Sequence, residues 1–318
     1  MTTSETASRK PLVLLAELTH RCPLGCPYCS NPLTLEPQAD ELDGVTWARV
    51  FGEAAALGVR NVHLSGGEPG ARRDLVDITA HAREAGLHTS LITSGVGITT
   101  RTMRDLWEAG LDHIQVSFQD ADAVSADRIA GQRSAFQRKL ALATEAVRIG
   151  LPLTVTMVVH RANIERIAAM VELALKLQAT RIEIAAVQYH GWALKNRAAL
   201  MPTREQIERA IAEIGHLQRR HQDRIAIDAS ALDGSPRADV SGSITVTPSG
   251  RVLPCPAAAS VPGLEFWNVR EHSLADIWAK SPAFDAFRNT DVPPLSLRDS
   301  EAASAAVQED ASYVYRRQ

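Results

Sequence analysis

The chain has 318 residues, room for two average domains or for one α/β barrel of roughly 250. Apolar residues are 45% and charged residues 22%, so the chain can bury a sizeable core and is not a disordered polymer. A net charge of −3 lacks the basic footprint of a nucleic-acid binder, and no apolar run reaches the roughly 18 residues of a membrane helix.

In chain order, residues 1–10 are polar and hold no signal-peptide core, so they are expected to be disordered and the protein cytoplasmic. From 12 to about 191 one pattern recurs: a short apolar run, a polar patch, an amphipathic helix. Predicted strands cover 12–18, 61–64, 88–93, 113–118, 153–159 and 181–187, rich in Val, Ile, Leu and Thr as buried parallel strands are. Predicted helices cover 46–57, 72–85, 100–109, 135–149 and 163–177, with Thr46, Thr100 and Asn163 as N-caps. Gly58, Gly86, Gly110 and Gly150 each follow a helix, where glycine takes the left-handed cap without steric cost. Six βα units with right-handed crossovers predict an α/β fold, a partial (β/α)6 barrel over 11–201; a doubly wound open sheet is the rival.

Residues 192–201 read as a basic, irregular linker. Pro202 and Thr203 open an amphipathic helix to about 221, and strands are predicted at 225–227, 244–247 and 251–253, the last two joined by a turn. A helix is expected at 273–287. The smaller C-terminal region spans 202–290, and the tail, 291–318, is expected to be poorly ordered.

Four cysteines are present, and Cys22, Cys26 and Cys29 fall within eight residues. In a reducing compartment such a cluster reads as metal-binding or catalytic before it reads as disulfides. The C-x3-C-x2-C spacing lets three thiolates hold three irons of a 4Fe–4S cube and leaves the fourth open. A zinc knuckle completed by His20 or a distant ligand is the alternative, although zinc sites usually show paired C-x2-C halves. Polar clusters follow all six predicted strands: Thr19 to Cys22, Ser65 to Pro69, Thr93 to Gly95, Ser117 to Asp120, His160 to Asn163 and Gln188 to Gly191. At the C-terminal rim of a parallel barrel they would share one pocket.

The cysteine loop after the first strand, with Tyr28 before the last cysteine, resembles that of the radical S-adenosylmethionine (SAM) enzymes. The resemblance implies one 4Fe–4S cluster on Cys22, Cys26 and Cys29, with SAM chelating the open iron through its amino and carboxylate groups. Gly66, Gly67, Glu68 and Pro69 are similar to the family's GGEP segment, where two glycines admit close backbone approach and the glutamate pairs with the SAM ammonium. Further SAM contacts are implied for Ser94, Ser117 and Gln119 near the methionyl and ribose groups, Arg128 near the carboxylate and Val187 near the adenine. His63, His81, His88 and His113 lie on or beside core elements and are expected to be structural.

Within that family, residues 187–203, 264–270 and 313–316 are similar to the PqqA peptide cyclases. This implies a step in pyrroloquinoline quinone biosynthesis acting on the peptide PqqA, with the chaperone PqqD and an external electron donor such as flavodoxin as partners. The implied chemistry is reductive cleavage of SAM to a 5′-deoxyadenosyl radical, hydrogen abstraction from a Glu side chain and bonding of that carbon to a Tyr ring. Loss of an electron and a proton then restores the ring. These cyclases also carry a C-terminal SPASM domain whose cysteines hold auxiliary clusters. Here 250–255 matches its G-x4-C element, but 235–240 holds no cysteine and the later C-x2-C-x5-C-x3-C run is absent. One thiolate cannot hold a cluster, so Cys255 is expected to be a buried free thiol. A homologue impaired in crosslinking, or one acting on another peptide, is the alternative.

Overall fold

Alternation along the strands sets the architecture. In the computed structural model, which describes residues 10–230, 232, 242–261 and 263–285, β1 (Val13–Thr19) fully buries Leu14, Ala16 and Leu18 on one face. Leu15 and Glu17 alternate with them. β2 (Asn61–Gly66), β3 (His88–Thr93), β4 (His113–Ser117), β5 (Leu153–Val159) and β6 (Arg181–Ala186) follow, and each pairs with its sequence neighbour in parallel. Val62, Leu64, Ile114, Val116, Ile182 and Ile184 extend the apolar face, all 0% exposed.

The other face is polar. Gln115 on β4 donates from Nε2 to Glu183 Oε2 on β6 at 2.7 Å, across the intervening strand. His113 bonds Ser90 on β3 and Thr154 on β5, at 3.3 and 2.9 Å. Side chains that meet over a neighbouring strand line a concave surface, so the polar face is the lumen. The strands, rich in Val, Ile, Leu and Thr as expected, turn their apolar side chains to the helices and polar ones to the lumen. Consecutive strand order with no reversal is that of a partial barrel, and it excludes the doubly wound sheet.

The crossover helices are α1 (Gly44–Leu57), α2 (Leu75–Glu84), α3 (Thr100–Glu108), α4 (Ala123–Ala130), α5 (Ala135–Arg148) and α6 (Ile167–Lys176). Gly58, Gly86, Gly110 and Gly150 take the expected left-handed conformation, with φ of 104°, 79°, 97° and 85°. Two caps lie upstream of the expected ones. Asp43 accepts from Thr46 N–H at 2.8 Å, and Thr99 accepts from Thr102 N–H at 3.0 Å. Asn163 caps nothing: its buried amide donates to Gln119 O and Val158 O at 3.0 and 2.9 Å, tying the end of β4 to β5.

Residues 192–201 are not irregular. They form α7 (Gly191–Lys195) and α8 (Arg197–Leu200). α9 (Arg204–His221) opens with a capping box of Thr203 and Gln206. The C-terminal region then supplies both sheet edges: β7 (Ala226–Asp228) pairs with β6, while β8 (Ser243–Val246) pairs in parallel with β1 and antiparallel with β9 (Val252–Leu253). α10 (Leu274–Lys280) packs on α1 through Leu274 N–H to Glu53. The expectations for 1–9, 235–240, the last residues of the 273–287 helix and the tail fall outside the described residues.

Burial makes two histidines acid-sensitive. Desolvation pushes His160, 0% exposed, and the half-buried His113 each from 6.5 down to about 4, with His63, His88 and Arg181 adding to the effect on His113. The unfolded chain takes up these protons near 6.5 and the folded one only near 4, so stability is full above that window and falls as pH drops through it. Denaturant midpoints should decline across the window, and less steeply in His113→Gln. Identical profiles for the two proteins would contradict this.

Candidate functional site

β1 runs directly into the cysteine loop, and the loop is held mostly by other elements. Cys29 N–H donates to Cys26 O at 3.1 Å within it. From outside, Gly25 N–H donates to Ala130 O at the end of α4 (2.8 Å), Ala193 N–H on α7 donates to Cys29 O (2.9 Å), and the Asn196 amide donates to Pro27 O (2.9 Å). At Gly191 a Cβ would stand 2.0 Å from Asn31 O, so α7 begins flush against the loop exit. The segment expected to be a linker therefore clamps the cysteines.

The three thiols are half-buried. Burial pushes Cys22 up to about 12 and Cys26 up to about 11, with Glu68 adding to the first and Lys139 opposing at the second. Such thiols stay protonated until a metal displaces the proton. His20 is committed elsewhere: its Nδ1 accepts from Glu36 N–H at 3.1 Å and its Nε2 lies 3.7 Å from Glu17. Among the described residues no three His, Cys, Asp or Glu side chains converge on one ion.

Beside the loop, β2 ends in a glycine cradle into which the loop's own backbone packs. A Cβ at Gly66, where φ is 123°, would meet Thr19 O at 2.3 Å, and one at Gly67 would meet Arg21 O at 2.4 Å. Gly67 N–H and Glu68 N–H donate to Thr19 O and Arg21 O at 2.6 and 2.8 Å, riveting β2's end to the loop entry. Glu68 is 0% exposed and its carboxylate is fully used. Oε1 accepts from Thr93 Oγ (2.6 Å) and Gly70 N–H (2.9 Å), and Oε2 accepts from the N–H (2.7 Å) and Oγ (2.5 Å) of Ser94. Burial pushes its pKa up against these bonds. Here Glu68 organises the end of β3; a pairing with an ammonium group would be added to four existing bonds. Pro69 is buried and opens the following 3-10 turn.

Tyr28 lies with Val187, Ala193 and Leu200 in a small apolar cluster, its ring 5.5 Å from that of His160. Burial pushes its phenol well up, and its hydroxyl bonds Gln119 and Cys26. Ser94 follows β3 and bonds Glu68, Ser117 ends β4, and Gln119 lies two residues beyond it, against Cys26. Arg128 does not join them: it is exposed on the last turn of α4, with no ion pair among the described residues. The sequence reading missed Lys139. It is 0% exposed and donates from Nζ to Ser117 O at 2.8 Å and Gln119 Oε1 at 2.7 Å. Its signal was legible: Lys139 falls on the apolar stripe of α5, with Ala135, Phe136, Leu142, Ala143 and Ala146. Burial pushes its ammonium down to about 8, opposed first by Cys26, then Glu68 and Cys22.

Glu68→Gln should destabilise the metal-free protein by about 1–3 kcal/mol, because the amide turns one donor against donors that the carboxylate had satisfied. Denaturant unfolding measures it; an unchanged midpoint would show that the four bonds carry no weight.

Two family models match the chain: the radical SAM superfamily over residues 16–174 and the SPASM iron–sulfur cluster-binding domain over 239–299. The PqqA peptide cyclase of Methylocella silvestris is 57% identical over 288 residues, 88% of this chain and 77% of that protein. That of Rhizobium meliloti is 50% identical over 298 residues, 92% of this chain and 80% of the other. Streptococcus suis SuiB bound to S-adenosylmethionine matches at a TM-score of 0.75 and 18% identity, over 88% of this chain and 68% of SuiB, which shows the shared fold. With its cysteine loop, its glycine cradle and these relatives, the chain belongs to the PqqA peptide cyclase family of the radical SAM superfamily.

Proposed function

We propose that the chain builds the carbon–carbon bond between a Glu and a Tyr side chain of PqqA, as a cytoplasmic step of pyrroloquinoline quinone biosynthesis. One observation carries this reading: three thiols on a loop clamped against two closely packed glycines, in a chain 57% identical to a PqqA peptide cyclase. PqqD presents the peptide, and flavodoxin or a similar one-electron donor supplies the electron.

Cys22, Cys26 and Cys29 would hold the cube, and SAM would bind beside it, next to the turn that Gly66 and Gly67 let pack against the loop. When bound, the two supply the radical that removes hydrogen from the peptide. The chain's own work is positioning and exclusion. Glu68 fixes Ser94 at the cradle, and Tyr28 with Val187 forms an apolar wall against water. Arg128, exposed on the last turn of α4, is assigned to the SAM carboxylate by the family resemblance.

A second observation favours uncoupled turnover. Cys255 is 7% exposed and packs with Leu253 and Ala258, far in sequence from the other three thiols. Rearomatising the Tyr ring releases an electron as well as a proton, and this chain offers no second cysteine set to receive it.

Anaerobically reconstituted protein should bind about four irons per chain, lost when all three loop cysteines become Ala. Iron retained by that triple variant would refute the assignment. Given SAM, a reductant, PqqA and PqqD, it should form 5′-deoxyadenosine in excess over crosslinked peptide, which mass spectrometry detects as PqqA lighter by two hydrogens. 5′-Deoxyadenosine with no crosslinked peptide at all would overturn the proposed activity in favour of a homologue impaired in crosslinking or one acting on another peptide. One 5′-deoxyadenosine per crosslink would show the missing auxiliary cysteines to be dispensable.

A further inference from the structure

Among the described residues Lys139 is the largest charged side chain that the fold buries completely, and neither of its partners is an acid. A buried ammonium costs several kcal/mol of desolvation, so its place needs a reason. Capping Ser117 O alone would not need a charge. Its second partner is more telling. Lysine only donates, so the oxygen of the Gln119 amide must face Lys139, at 2.7 Å. That fixes the amide: the NH2 end points the other way, to Cys26 Sγ at 3.8 Å. Gln119 is itself immobile, 2% exposed, with its backbone carbonyl held by Asn163.

We propose that Lys139 is a positioning residue for the cluster: it locks the Gln119 amide as a donor to the Cys26 sulfur and so raises the potential at which the cluster accepts its electron. The inference rests on the assignment of Cys26 as a cluster ligand. A cube on three thiolates is anionic, and reduction adds a further negative charge. A buried cation and an N–H···S bond both stabilise the reduced form more than the oxidised one, and both are recognised determinants of cluster potential. Gln119, expected from sequence as a SAM neighbour, also turns its amide toward Cys26.

The test is a redox titration of the reconstituted, SAM-free cluster, followed by electron paramagnetic resonance, in wild type, Lys139→Met, Gln119→Leu and the double variant. Each single variant should move the midpoint to a more negative potential. The double variant should fall short of the sum, because Lys139 acts partly through the amide. A Lys139→Met cluster that assembles at the wild-type potential overturns the proposal. So does a shift in Lys139→Met with none in Gln119→Leu, since the cation would then act without the clamp. If Lys139→Met fails to fold, Gln119→Leu decides alone: a negative shift supports the donor bond, an unchanged midpoint refutes it. Wild-type protein that assembles no four-iron cluster would instead sink the assignment of the three cysteines, a different failure with a different readout.

Discussion

The site depends on a loop that cannot hold itself. Between β1 and α1 the chain must present three thiols in one fixed arrangement, yet a loop of that kind has no ladder of its own. Its shape is imposed by elements distant in sequence: the end of α4 at Gly25, α7 and Asn196 at Cys29 and Pro27, and β2's glycines at Thr19 and Arg21. Several of these contacts are backbone to backbone, so they are specified by close approach rather than by side-chain identity. Glycine at 66, 67 and 191 is therefore required by geometry: any Cβ there would fall within 2.4 Å of a carbonyl oxygen.

Below the loop sit two buried charges of opposite sign, Glu68 and Lys139, both 0% exposed. They are not a salt bridge; each is satisfied separately, Glu68 by four donors and Lys139 by two acceptors. Each nonetheless opposes the effect of burial on the other's neighbourhood: Glu68 pulls the lysine up, and Lys139 pulls Cys26 down. An unsatisfied charge here would be costly, so the surrounding turns at 68–71, 93–95 and 117–119 are ordered by the need to satisfy them. Preorganisation of the rim is thus a by-product of burying charge under it.

Much of this was legible in the chain. The βα rhythm, the four helix-ending glycines and the cysteine spacing each rest on local chemistry, and local chemistry is what a sequence displays. What was not legible depended on tertiary contacts. Thr46 and Asp43 are both capping residues, and only the backbone path decides that Asp43 reaches Thr46 N–H. α4 has eight residues, too few to show a clear period, and it was not foreseen. Residues 192–201 look like a linker because they form two very short helices that bury only a few apolar side chains, Ala193 and Leu200 among them, against the cysteine loop. Lys139 was visible as a charge on an apolar stripe, but its partners lie at the end of β4 and just beyond it, some twenty residues away in the chain.

The C-terminal region poses a physical question: why a cluster-binding domain should persist with a single cysteine. Its contacts supply an answer. β8 lies in parallel beside β1, the strand that feeds the cysteine loop, with Val13 to Ala16 in register with Ser243 to Val246. The turn after β8 reaches the loop's exit, where Glu36 accepts from Ser249 N–H at 2.7 Å and from Arg251 at 2.6 Å. Leu42 N–H donates to Pro248 O at 2.7 Å, and Arg49 on α1 donates to Val269 O at 2.7 Å. Without β8, β1 would be an open edge, exposing unpaired backbone groups next to the thiols. The region therefore closes the sheet and braces the cysteine loop whether or not it carries iron, and that bracing does not require its missing cysteines.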